Sequence, residues 1–595
     1  MSTKMRVTMR PVSWVLVVLL LLLHSAWAQM EGRISGVVSD PSGAFIAVAT
    51  ATLNNLGNGT KQTTITSDQG QYSFPVVAVG QYELEIASPG FQPYKKIGVV
   101  IDVNGVLRID AILQTAQRTQ SAQVTNVPTA SESTQTDKSD DTSFGLMHYL
   151  SKNGRHDVHN ETWNLYGQLT AIGFDKPSFH AAYTNLNGSN SSLNTYAEQS
   201  YTQTLTLFFG LRLRPGTDLY IVPEEISELT LSKLKGLGGA TENFELQKVG
   251  SVKPTIYRSR FFLRQTFGFG GQSIELPSGQ MQLGEHVDSR RLVFTLGNFS
   301  ALDVFDQNSV VGDLRKSFFD EAFMTNSAWD FPADARGYSI GGAAELYWDQ
   351  WAVRVMRLMP PVEPNSQTLV FQPFKYYGDQ VEFEHDHVLF GDQPGAVRLL
   401  LYRNHELMGR FADAINAFEA NPADNAANCG TLYNYGSENP TAPDLCFVRK
   451  TNVKVGIGFN AEQSITPNIG VFFRAMYSDG RTEVEAYDSA DRSATVGTKV
   501  KGALWGQPLD SAGLGFGTSW ISAIHAKYLE MGGVDGFIGD GALTQAHENM
   551  TEIYYRKHIS RSIYLSADYQ RVWNPGYNAA RGPVNLFGGK FHVEF

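Results

Sequence analysis

The densest run of side chains able to do chemistry is Glu382, Glu384, His385, Asp386 and His387. Imidazoles and carboxylates are metal-ligand types. In a strand, however, successive side chains point to opposite faces, so the two histidines share one face and the two glutamates the other. That spacing argues against a single metal centre. Arginines also recur at intervals of two, as Arg212 and Arg214 and again as Arg258 and Arg260, with Arg264 four residues further on. A guanidinium is a planar fork able to hold two oxygens at once. No Ser, His and acid set suggests a nucleophile, His156 and His159 read as solvated, and the chain reads as no enzyme. Cys429 and Cys446 are the only cysteines, too few for a four-thiolate zinc or iron–sulfur site. The sequence calls for no cofactor.

What positions these residues follows from composition. The chain has 595 residues, 42% hydrophobic, and a net charge of −11. It can bury a large core, and its acidic balance lacks the basic stripe of a nucleic-acid binder. Charged residues make up 18%, against a usual ~25%, while aromatics reach 12% with 56 Gly. High Gly and aromatic content with low charge fits an outer-membrane β-barrel. Lys4, Arg6 and Arg10, the apolar run Val15 to Leu23, and Ala26-Trp27-Ala28 form a signal peptide over residues 1–28, with cleavage expected after Ala28. No later segment offers 18 uninterrupted apolar residues. A mature chain that meets a membrane must therefore do so as a closed barrel.

Residues 29–115 read as a small β-sandwich, with strand candidates at 33–38, 48–53, 62–66, 72–74, 82–87, 98–102 and 107–113 separated by turn residues such as Asn58-Gly59 and Asn104-Gly105. Ile34, Gly36, Val38, Asp40 and Gly43, then Asp68, Gly70, Tyr72 and Phe74, then Gly80, Tyr82, Leu84 and Gly90-Phe91 follow the order of the carboxypeptidase regulatory-like (transthyretin-like) domain, which this region resembles. Residues 116–143, rich in Ser, Thr, Gln and Asp with no aromatic, read as a flexible linker.

From about Trp163 onward the period is two. Leu205, Leu207, Phe209, Leu211 and Leu213 alternate with Thr204, Thr206, Phe208, Gly210, Arg212 and Arg214. The same holds for Val453 to Phe459, for Ile469 to Ala475, and for Phe587 to Phe595. In a transmembrane barrel the apolar face meets lipid and the mixed face a lumen. The expected fold is all-β: an antiparallel barrel over residues 144–595, preceded by the β-sandwich. Spread over 16 strands, these 452 residues give about 28 per strand and connection, room for ~10-residue strands with long outer loops. Twenty-two strands would leave only about 20, and no plug domain precedes Trp163. A receptor-like barrel of the TonB-dependent type is the alternative reading.

The barrel region resembles the carbohydrate-selective porins of the OprB type. The resemblance is carried by Gln265-Thr266-Phe267-Gly268-Phe269-Gly270-Gly271, by Leu296-Gly297-Asn298-Phe299-Ser300, by Asp303-Val304-Phe305-Asp306 and by the long stretch from Asn326 to Tyr338. Tyr377-Gly378-Asp379-Gln380, Asp479-Gly480-Arg481-Thr482-Glu483, Ile538-Gly539-Asp540-Gly541 and Arg581-Gly582-Pro583-Val584 continue it in order. It implies a 16-stranded outer-membrane porin for passive uptake of mono- or small oligosaccharides. Sugar hydroxyls both donate and accept around apolar C–H faces, so such a pore wants fixed cations, carboxylates and aromatic faces. On strand parity, Arg212, Arg214, Arg258, Arg260, Arg264, Arg398 and Arg474 are lumen candidates, with Glu382 and Glu384 as acceptors. Trp329, Asp330, Asp334 and Arg336 lie in a Pro-interrupted stretch that cannot be central strand and read as a loop folding inward.

Two expectations concern the compartment. Cys429 and Cys446 close a long loop where disulfides are favoured. An even strand number puts both barrel ends in the periplasm. The N-terminal domain then hangs there, where peptidoglycan or a periplasmic protein is a partner of the right location, while outer-membrane lipid surrounds the barrel.

Overall fold

The computed structural model describes residues 31–595 except 42–43, 57–60, 68, 79, 89–90, 102–105, 114–144, 247–250, 424–440, 487 and 561. The signal peptide, the linker and Cys429 thus lie outside the described residues. The chain divides into two compact units, Met1–Thr125 and Asn126–Phe595.

The first unit holds β1 (Glu31–Ser39), β2 (Thr50–Asn55), β3 (Lys61–Ile65), β4 (Gln71–Ala78), β5 (Gly80–Ala87), β6 (Tyr94–Ile101), β7 (Val106–Arg108) and β8 (Ala111–Ile112). One sheet runs β4-β1-β7, with β8 also on β1; the other runs β3-β2-β5-β6. Ile34, Val38, Leu53, Phe74, Leu84 and Ile86 alternate inward to form the core. Gly36 is dictated by packing: a Cβ there would sit 1.8 Å from the Ile109 carbonyl oxygen. The strand expected over 107–113 is two short pieces: the Ile109 amide still donates to Ser35 at 2.8 Å, but its carbonyl accepts the Tyr72 hydroxyl at 2.7 Å and the Val37 amide donates to the Asp110 carboxylate at 2.7 Å.

In the second unit a short helix, α1 (Leu146–Lys152), precedes β9 (Trp163–Lys176), β10 (Glu198–Arg214), β11 (Thr217–Leu229) and β12 (Thr255–Gly268). A hairpin of β13 (Ser273–Leu276) and β14 (Glu285–Asp288) follows. Next come β15 (Arg290–Phe299), β16 (Ser339–Trp348), β17 (Trp351–Leu358), β18 (Tyr377–Leu389) and β19 (Gln393–Met408). Helix α2 (Phe411–Ala420) leads to β20 (Lys450–Thr466), β21 (Ile469–Ser478), β22 (Arg492–Lys501) and β23 (Ser511–Trp520). Helix α3 (Ala523–Glu530) leads to β24 (Glu548–Ser560), β25 (Ile563–Trp573) and β26 (Val584–Glu594). All but the hairpin strands form one closed antiparallel barrel of 16 strands, sealed where β26 pairs with β9.

Parity is kept along the barrel wall. On β10, Leu207 and Leu213 are exposed outward while Thr202, Thr204, Thr206 and Phe208 are buried inward. Tight connections such as 215–216 and 349–350 lie at the end that carries Trp163 and Glu594, which the short-turn rule makes the periplasmic side. Residues 300–338, between β15 and β16, turn back into the barrel. Their Phe318, Phe319 and Phe323 pack on the inward side chains Phe472, Tyr554 and Phe174, with ring centroids 4.9–6.0 Å apart. One side of the lumen is therefore filled by a hydrophobic core.

Candidate pore constriction

Inward charges on β16–β20 form a ladder of alternating sign. Arg354 contacts Glu345 at 3.5 Å and both Glu382 and Glu384 at 2.9 Å. Arg398 contacts Glu384 and reaches Glu462 at 3.0 Å. Strand alternation places these groups on one face, and each guanidinium bridges neighbouring strands. The predicted acceptors Glu382 and Glu384 are thus already held by arginine, and Glu382 also takes the Asp306 amide at 2.8 Å. His385 points the other way, stacked 4.1 Å from Trp351, and His387 meets Gln463 at 3.0 Å.

The inward loop is bolted to the wall by other candidates. Arg474 pairs with Asp306 at 3.1 Å and donates to the Phe323 carbonyl at 2.8 Å. The Trp329 indole donates to Gln380 at 3.0 Å. Asp330 pairs with Lys454 at 2.8 Å and accepts the Glu485 amide at 2.9 Å. Asp334 accepts the amides of Arg336 at 2.8 Å and Tyr338 at 3.1 Å, shaping the turn that presents both.

Beside the loop lies a cavity of about 240 Å³, lined by Glu245, Arg260, Asp306, Arg315, Arg336 and Tyr338 among others. Arg260 grips Asp303 through Nε and Nη2, both at 2.7 Å, and lies 5.0 Å from the Tyr338 ring. Arg315 pairs with Glu245 at 2.8 Å. Arg336 stacks 4.3 Å from the Tyr257 ring, and its buried Nε has no hydrogen-bond acceptor among the described residues. A second cavity, of about 50 Å³, is lined by Arg264, Gln282, Glu285, Asp303 and Gln307. Gln307 borders both cavities, and of the Arg260–Asp303 pair Arg260 lines the first and Asp303 the second.

The lower cavity owes part of its wall to the β13–β14 hairpin, folded against the barrel at the short-turn end. Arg264 donates to the Met281 carbonyl at 3.0 Å, and Arg212 bridges Asp218 at 2.9 Å and Glu285 at 2.8 Å. Glu161, buried ahead of β9, holds the hairpin by accepting from Ser278 at 2.7 Å and from the Gly284 amide at 2.8 Å. His156, read from sequence as solvated, is buried and 2.9 Å from Glu161. Sequence reasoning missed this hairpin, as well as Arg354, Lys454, Asp303 and Glu245. Arg354 could have been found, since it alternates with the outward Val353 and Val355 as Arg398 does with Leu399.

Two arginines need correction. Register slips between Val222 and Pro223 where β11 faces β12, so that Val222 opposes Arg260 but Pro223 opposes Arg258. Ser259 is the extra residue of this bulge, and it returns Arg258 to the outer face, 5.7 Å from the outward Phe261 ring. Arg214 lies beyond another slip, exposed at the tight turn, where it donates to Thr217 at 2.9 Å.

Residues 211–595 match the family described as carbohydrate-selective porin, OprB family. The chain belongs to it. Residues 33–114 match the carboxypeptidase regulatory-like domain. Among solved structures, the high-pH structure of OprB from Pseudomonas putida superposes with a TM-score of 0.54 at 15% identity, covering 75% of this chain and 97% of that one. The outer-membrane channel DcaP of Acinetobacter baumannii gives a TM-score of 0.39 at 10% identity, over 73% of this chain and 97% of that one. No curated protein matches the chain. This OprB-family porin resides in the outer membrane, and its 16-stranded barrel is not the TonB-dependent alternative.

Proposed function

We propose that sugars diffuse passively through the space left beside the inward loop, binding weakly where the two cavities meet. The observation that carries this reading is the set of side chains around the larger cavity. Arg260 with Asp303, Arg336 over Tyr257, Arg315 with Glu245, and Tyr338 present fixed cations, carboxylates and ring faces around one cavity. That mixture suits a solute whose hydroxyls donate and accept and whose C–H faces are apolar. Arg336 is the strongest candidate for direct contact, because its guanidinium reaches the cavity with Nε uncommitted. Near balance of the two signs keeps ion selectivity modest. Passage needs no catalytic group.

Proteoliposome swelling tests this. Glucose or maltose should enter faster than an uncharged non-sugar solute of equal mass, and entry should saturate. Equal rates would leave a general pore. The N-terminal unit we assign to the periplasm as an interaction module for peptidoglycan or a periplasmic protein. An epitope inserted near Gly59 should stay unreactive in intact cells.

A further inference from the structure

The outer wall carries a feature that sugar passage does not use. The segment before β18 runs as a strap across the outside of the barrel. His405 faces outward on β19, opposite Tyr377 and Val453, and its Nδ1 meets the Lys375 carbonyl. Tyr376 reaches past it to Thr451 on β20 at 3.2 Å. The strap therefore spans from β18 over β19 to β20, and a turn in which the Lys375 and Tyr376 amides both donate to Gln372 at 2.9 Å fixes its shape. Hanging from it are Phe374, 92% exposed, and Phe371, 66% exposed. Both rings expose apolar surface that burial against an apolar partner would stabilise.

Below the strap, toward the membrane, Arg357, Asp379 and Arg403 oppose one another across β17, β18 and β19. Asp379 is held by Arg357 at 2.6 and 2.7 Å, and Arg357 lies 3.9 Å from the Tyr377 ring. Arg403 and Lys375 have no carboxylate partner among the described residues. On the membrane side of this row the outward side chains Val355, Phe383, Leu399 and Leu401 are apolar and exposed. The patch thus presents two unneutralised cations at the long-loop rim, with oily surface beneath and exposed rings beside them.

We propose that this patch binds a phosphate-bearing glycolipid of the outer leaflet, its phosphate between Arg403 and Lys375 and its acyl chains along Val355, Phe383, Leu399 and Leu401. Arg and Lys are natural hydrogen-bond donors to phosphate oxygens, and each cation near an anionic lipid surface is worth about fivefold in binding. A second copy of the chain fits less well, because the only acid of the row is already paired and like charges would meet.

The full-length porin, purified in non-ionic detergent, should bind bis-phosphorylated lipid A by native mass spectrometry. Arg403→Gln and Lys375→Gln should each weaken binding about fivefold. Removing the lipid phosphates should abolish the difference between these variants and the parent. Phe371→Ser with Phe374→Ser should weaken binding of phosphorylated and dephosphorylated lipid alike. Lys557→Gln, outward at the opposite rim, should change nothing. All variants are compared by the heat-modifiable folded band, so that misfolding is scored separately. Equal binding by parent and Arg403→Gln, or no preference for the phosphorylated lipid, would overturn the proposal. So would efficient Phe374→Cys cross-linking between copies in native membranes.

Discussion

Lys454 and Asp330 form a 2.8 Å ion pair inside the barrel, with the side chains 0% and 2% exposed. The pair joins β20 to the inward loop just after Trp329. Removing one partner of a buried pair leaves an uncompensated charge and costs about 3–5 kcal/mol. Lys454→Met should therefore lower thermal stability and free this part of the loop. Larger single-channel conductance with weaker sugar block is the expected outcome in planar bilayers; unchanged conductance would show that the loop is held elsewhere.

Arg336 should behave differently. It forms no ion pair among the described residues, so Arg336→Gln should leave the folded band intact. Loss of a charge-assisted hydrogen bond to a sugar hydroxyl should weaken current block by added sugar roughly tenfold, or about 1.4 kcal/mol. Block as tight as in the parent would remove Arg336 from the path.

Strand register is tested on β10. Leu207 faces lipid in mid-strand, where Arg costs roughly 2–4 kcal/mol, and Leu213 lies near the turn, where the cost is about 0–1 kcal/mol. Leu207→Arg should thus deplete the folded band more than Leu213→Arg. Arg212→Ala should deplete the band less than Leu207→Arg while releasing Glu285, its partner on the hairpin. An exchange of these outcomes would mean a one-residue slip.

A pH response is expected in the cap made by α2 and α3. His525 stacks 4.1 Å from Phe411 and sits between Asp491 at 3.1 Å and Asp535 at 3.2 Å. Burial disfavours its charge, but Asp491 and Asp535 outweigh burial and hold the imidazolium up to about pH 9. A folded-state value above the unfolded ~6.5 means stabilisation complete below pH 6.5 and lost as pH rises to about 9. Amide exchange in residues 523–530, corrected for intrinsic rates, should therefore accelerate across that window. His525→Asn should flatten the response.

Cys429 and Cys446 are the only cysteines in the sequence, and a bridge between them is the expected outcome in an oxidising compartment. Closing a loop of this size is worth about 3 kcal/mol in the chain-entropy model. Mass spectrometry without reductant should find no alkylatable thiol; two would refute the bridge.

Period-two alternation made the barrel legible, because lipid and lumen impose different chemistry on successive side chains. The same period failed at Arg258, since one extra residue at Ser259 reverses parity and leaves no mark in composition. It also could not show that Phe472 and Tyr554, on the supposedly polar face, pack against Phe318 and Phe323 more than 140 residues away from Phe472 in sequence. Asp330 and Arg336 were legible as loop residues through their Pro-interrupted setting. Their opposite roles, one an anchor and the other free, depend on Lys454 and Tyr257, which lie on different strands.

The filling of one side of the lumen by Phe318, Phe319 and Phe323 bears on drug permeability. An oily inner wall would offer greasy antibiotics a foothold. Here those surfaces are already occupied by the protein's own rings, and the route that remains is lined by charge. Expression of this porin should therefore raise susceptibility to hydrophobic drugs little and to small hydrophilic ones more.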